Sequence, residues 1–117
     1  VPLLTGSVIV ADRFYNDFSL LNVWDSKGVF FVIRHKENLQ FISLKENELP
    51  QIKHQHILKD EIIELRNEPS KAKYANTLRR VSVWDEENEQ VIELITNQFC
   101  WSPNTIGELY SRPLKII

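Results

Sequence analysis

Apolar residues group along this chain with three different spacings, and each spacing predicts a different kind of element. Ser7-Val8-Ile9-Val10-Ala11 is an unbroken apolar run after Gly6, the pattern of a strand covered on both faces. It stops at Asp12-Arg13. Phe14, Phe18, Leu21 and Trp24 then recur at helical spacing, with Asn16 or Asp17 as candidate N-cap and Gly28 placed to end the helix. Val29-Phe30-Phe31-Val32-Ile33 is a second buried-strand pattern, ending at Arg34-His35-Lys36. Strand, helix and strand with short joints predict a βαβ unit with parallel strands.

The middle of the chain reads differently. Gln40 to Leu44 either prolongs the second strand or starts a new one, and the polar stretch from Glu46 to His56, with Pro50, reads as loop. Ile57 to Leu65 fits two periods: Leu58, Ile62 and Leu65 suit a helix, whereas Ile57, Ile63 and Leu65 suit one face of a strand. Asn67 to Asn76, polar and holding Pro69, reads as loop. Arg79 to Asp85 and Gln90 to Thr96 alternate around Glu86-Glu87-Asn88-Glu89, which predicts an antiparallel hairpin. Ser102-Pro103 is a helix start, with Ile106, Leu109 and Tyr110 on one face.

With 117 residues, 43% hydrophobic and 26% charged, the chain has the length and composition of a single globular domain. A net charge of −2 gives no global attraction for nucleic acid, so any such contact rests on local basic residues. Cys100 is the single cysteine, which excludes an internal disulfide and suits a reducing, cytoplasmic setting. No apolar run approaches the roughly 18 residues that span a bilayer, so no membrane partner is expected. The chain opens at Val1 and holds no methionine, so we expect a piece of a longer protein.

Asp12 is the foremost candidate for chemistry, because open α/β sheets place ligand groups at the carboxyl ends of their strands. It is either a ligand for a hard cation such as Mg²⁺ or a polar strand terminator, and position alone does not choose. Arg34 and Lys36, two apart on the next strand, share a face and end at the same edge. They are either phosphate contacts or a solvated strand end. His54 and His56 have a spacing seen in zinc ligands, but no cysteine or second cluster accompanies them. Trp84 and Trp101 read as packing residues, and Cys100 has no basic neighbour to activate it. No phosphate-binding glycine loop or nucleophile elbow is present.

The run Val8-Ile9-Val10-Ala11-Asp12-Arg13-Phe14-Tyr15, the helix, and Phe31-Val32-Ile33-Arg34-His35-Lys36 together resemble the DDE transposases of bacterial insertion-sequence family four, which carry a Tyr-Arg-Glu-Lys signature. The resemblance covers essentially the whole chain in order. It implies a partial ribonuclease-H-like α/β core with parallel strands over 1–39, a β-rich antiparallel insertion over 40–98, and the start of the last catalytic helix region over 99–117. It implies that Asp12 is a catalytic and metal-binding residue. Arg34, Lys36, Tyr110 and Arg112 would contact DNA. The intact enzyme would use Mg²⁺ or Mn²⁺ and act as a homodimer on double-stranded transposon-end DNA.

Leu94-Ile95-Thr96-Asn97 and Glu108-Leu109-Tyr110 resemble the approach to the signature, but the pattern then departs. Where the family carries Arg three residues after the Tyr, this chain has Pro113, and its nearest arginine is Arg112. The family's first Asp falls before Val1, and its Glu is absent, since counting four on from Arg112 reaches Ile116. The departure points to a damaged parent gene or a non-native end, and to a chain that is inactive by itself. The alternatives are a non-catalytic α/β interaction module, a decayed remnant, or another ribonuclease-H-like nuclease. The strand from Ser7 to Ala11 is expected to keep one bare edge, and the chain to dimerise through that edge or through its apolar tail.

Overall fold

The computed structural model describes residues 4–11, 17–35, 39–49 and 56–111. Its elements run β1 (Val8–Ala11), α1 (Phe18–Ser26), β2 (Phe30–Arg34), β3 (Phe41–Glu46), β4 (Ile57–Leu65), α2 (Glu68–Lys73), β5 (Leu78–Asp85), β6 (Gln90–Thr96) and α3 (Pro103–Ser111). The strands form one mixed sheet of six, in the order β1-β2-β6-β5-β4-β3. Only β1 and β2 are parallel; every other neighbouring pair is antiparallel.

The βαβ reading holds. Asp17 caps α1 through its side chain, accepting from the Leu20 amide at 3.2 Å. Gly28 ends the helix with φ of 72°, a left-handed conformation open to a residue without Cβ. A Cβ there would meet Thr5 Cγ2 at 2.8 Å, so the helix end and the approach to β1 are packed against each other.

Ile57 to Leu65, ambiguous by period, is a strand. Pairing with β3 and β5 on its two sides decides it, and Ile63 and Leu65 are buried on one face. Phe41 to Leu44 belongs to the separate strand β3, with Gln40 just before it, rather than to an extension of β2. The loop expected from Asn67 to Asn76 is a correction: Glu68–Lys73 is a short helix. Pro69 falls in its first turn, where an amide proton has no helical partner anyway, and Lys71 and Lys73 in its last turn favour the negative end of the helix. The hairpin of β5 and β6 has the expected register, with Asp85 opposite Gln90.

Alternation along the strands divides the apolar side chains between two faces. Phe31, Ile33, Ile63, Leu65, Leu78 and Ile95 pack with Phe18 and Leu21 of α1 and with Tyr74 at the end of α2. On the other face, Val8, Val10, Val32, Val81 and Leu94 pack with Ile106 of α3. The middle segment therefore continues the same sheet that begins with β1 and β2. Asn97, just past β6, joins the two parts. Its Oδ1 accepts from the Phe31 amide at 2.9 Å, and its Nδ2 donates to Val29 O at 3.1 Å and to Asp25 Oδ1 at 2.9 Å.

Tyr74 is 1% exposed and its hydroxyl has no well-aligned hydrogen-bond partner among the described residues. Burial first, and the nearby Asp25 carboxylate second, push that hydroxyl well above the ordinary tyrosine range. An unfolded tyrosine ionises near pH 10, so this group favours unfolding as pH rises past that point.

The two borders of the sheet differ. β3 is largely exposed and irregular in its pairing with β4, which blunts its edge. β1 is apolar, and among the described residues its one strand partner is β2. The tail residues Leu114, Ile116 and Ile117 lie outside the described residues. An apolar border strand with one bare edge is a template for a strand of another chain, so we expect a dimer at micromolar concentration. Sedimentation velocity checks this, and a clean monomer there refutes it.

Candidate functional site

β1 and β2 run parallel, and Ala11 stands level with Ile33. The carboxyl ends of the two strands thus reach one edge of the sheet, as the sequence reading expects. Asp12, Lys36 and Arg112 lie outside the described residues, as does His54. Of the predicted site residues, Arg34 and Tyr110 are described.

Arg34 closes β2, opposite Leu94 of β6. Its side chain is half-buried, and its Nη2 donates to Gln90 Oε1 at 3.5 Å, a long contact. By alternation it shares the face of Val32, the face that α3 covers. Tyr110, also half-buried, stands in the last turn of α3 and packs on the same apolar cluster. It lines a hollow of about 370 Å³ with Val83, Ile92, Leu94 and Gly107, at the end of the β5–β6 hairpin. The fold therefore brings Arg34 and Tyr110 to one face, both beside Leu94.

The rim of that hollow is acidic, with Asp85, Glu86 and Glu87 in its wall. Asp85 is held below the ordinary carboxylate range, chiefly by the Asn88 side chain, which donates to it at 2.8 Å. Glu86 pairs with His56 at 3.3 Å. His56 thus faces an exposed carboxylate, and among the described residues no three His, Cys, Asp or Glu side chains converge as metal ligands would. Trp101, half-buried, packs against Phe30 with ring centroids 6.3 Å apart, at the border of the second apolar cluster. Cys100 is exposed.

Sequence reasoning missed two buried ion-pair systems that run through β4 and β5. Arg79 grips Asp60 with both ends of its fork, Nε to Oδ1 at 2.8 Å and Nη2 to Oδ2 at 2.7 Å, and its Nη1 donates to Gln98 O at 3.1 Å and to Trp101 O. On the opposite face, Arg80 donates to Glu61 at 2.8 Å, to Glu93, and to His35 Nε2 at 3.2 Å, with its guanidinium 4.8 Å from the Phe41 ring centroid. A signal was available. Asp60-Glu61 and Arg79-Arg80 each put two like charges on adjacent positions of an apolar strand, so each face receives one charge from each strand. Opposite-sign doublets in neighbouring strands then pair on both faces.

No family model matches the chain, and comparison with curated proteins and with solved structures finds no match.

Proposed function

We propose that this chain is part of the catalytic domain of a DDE transposase with a Tyr-Arg-Glu-Lys signature, its 1–39 segment being the later part of a ribonuclease-H-like core. The observation that carries the reading is the parallel β1–β2 pair. Asp12 follows Ala11 in sequence and Arg34 follows Ile33, and those two preceding residues are in register. The βαβ start, the antiparallel strands after it and the closing helix α3 also support the reading.

On this reading Asp12 would supply one carboxylate to hold Mg²⁺ or Mn²⁺, which when bound would provide Lewis-acid charge for phosphodiester chemistry. Among the described residues no three His, Cys, Asp or Glu side chains converge as metal ligands would, and where the resemblance expects its Glu, four residues on from Arg112, this chain has Ile116. Arg34, with Lys36, Tyr110 and Arg112, contacts the backbone of double-stranded transposon-end DNA. The intact enzyme works as a homodimer.

One observation favours the non-catalytic interaction module instead. Glu86 and Glu87 stand at the hollow that Tyr110 lines, and carboxylates there oppose a phosphate backbone.

Titration of a DNA duplex at several salt concentrations separates the two. With two or three phosphate contacts, the transposase reading expects weak binding with a log–log salt slope of about −2 to −3. Arg34→Ala should reduce its magnitude by about 1. No binding at low salt, or binding indifferent to Arg34→Ala, supports the interaction module. The chain alone should neither cleave DNA nor transfer strands with Mg²⁺ or Mn²⁺. Metal-dependent nicking that disappears in Asp12→Ala would show that it carries a complete site.

A further inference from the structure

We propose that His35 is a proton-gated latch at the end of β2, held by Arg80 when its imidazole is neutral and by Glu93 when it is protonated. His35 is 9% exposed and sits on the α1-facing side of the sheet, the opposite face from Arg34. Among the described residues, charged groups of four strands stand at or behind it. Arg80 of β5 reaches it directly, Glu93 of β6 stands beside it, and Glu61 and Lys59 of β4 form the layer behind Arg80, with Glu46 of β3 on Lys59.

The geometry specifies a protonation state. Arg80 Nε lies 3.2 Å from His35 Nε2, and a guanidinium is always a donor, so that nitrogen must offer its lone pair. A proton on Nε2 turns the contact into two donors face to face and sets two cations against each other. The same nitrogen lies 3.8 Å from Glu93 Oε2, beyond a good hydrogen bond but close enough for a small ring rotation to make one. Protonation therefore exchanges the partner. Among the described members of this cluster, His35 is the group whose ordinary titration falls near neutrality.

The exchange has a mechanical consequence. The His35 amide donates to Glu93 O at 3.1 Å, so the backbone and side chain of this residue fasten to β5 and β6 at one point. Loss of the Arg80 bond leaves a buried Nε–H without its acceptor and loosens the strand end at neighbouring Arg34. This inference does not rest on the transposase reading, because it concerns the side chains of the folded chain alone.

The test is nuclear magnetic resonance of the imidazole nitrogens and the arginine Nε–H groups, from about pH 8 to about pH 5. At the alkaline end His35 Nε2 should be unprotonated and the Arg80 Nε–H protected from exchange. At the acid end Nε2 should carry a proton, and Arg80 Nε–H and the His35 amide should lose protection about tenfold beyond the intrinsic effect of pH. His35→Gln keeps an acceptor but does not titrate, so its Arg80 protection should persist throughout. A proton on His35 Nε2 at the alkaline end overturns the latch, and so does an equal loss of protection in His35→Gln. The nitrogen measurement on the unaltered chain decides the matter even if that variant fails to fold.

Discussion

Replacing Asp60 with alanine should lower the free energy of unfolding by about 3–5 kcal/mol, one of the largest effects a single substitution can have in this chain. The side chains of Asp60 and Arg79 are only 3% and 4% exposed. The pair itself adds little net stability, because bringing two charges out of water offsets most of their attraction. Removing one partner has a different outcome. Arg79 would keep the carbonyls of Gln98 and Trp101, which satisfy part of its fork but none of its charge. Asn47 would also lose the carboxylate that accepts from its Nδ2 at 3.2 Å. Urea unfolding checks this, with Asp60→Leu/Arg79→Met as the companion variant. The double variant should lose less than Asp60→Ala, and a midpoint for Asp60→Ala equal to that of the parent would mean that water reaches Arg79.

Phe31→Ala should cost a similar amount, about 3–5 kcal/mol, by a different mechanism. The Phe31 ring is 0% exposed and meets Tyr74 edge-on at 6.2 Å and Trp24 at 6.5 Å. Truncation removes its transfer free energy and leaves a cavity bounded by the strand, α1 and the end of α2, which cannot all collapse together. Phe30, one position earlier and half-buried against Trp101, serves as the control and should cost clearly less when truncated. Equal losses at the two positions, read from denaturant midpoints, would contradict the division of the sheet into two unequal faces.

The parts legible from sequence were those whose pattern is local. The runs at Val8–Ala11 and Phe30–Arg34 could be read because a strand covered on both faces is apolar throughout, and Gly28 because ending a helix requires its backbone freedom. The β5–β6 hairpin announced itself by alternation on both sides of a polar turn. What was not legible depended on partners far away in the chain. Ile57–Leu65 satisfied a helical period and a strand period equally, and only β3 and β5 decide between them. The polar segment around Pro69 reads as loop because composition does not reveal whether a proline falls in a first turn or an interior one. As for the site, the shared edge of β1 and β2 followed from parallel topology. The placing of Arg34 and Tyr110 on one face, and of Asp85, Glu86 and Glu87 in the hollow that Tyr110 lines, arises from the packing of α3 on the hairpin and has no signature in either segment alone.

The joint between β2 and β6 also shapes how this chain acquires its structure. Residues from Leu4 to Arg34 can form their turns and pairing from nearby partners, and β3 to β6 can form a meander of successive antiparallel neighbours. Joining the two halves must wait for contacts such as Phe31 with Asn97, 66 positions apart, which carry the entropy of closing the longest loop in the sheet. During synthesis the βαβ half emerges first, with β2 exposing an edge on the side that β6 will later occupy. The chain therefore passes through a stage in which β1 and β2 both have open borders, and its exposure to misassociation is greatest before β6 arrives. Speed of assembly in this protein depends on one late seam, between β2 and a strand made only after β3, β4 and β5.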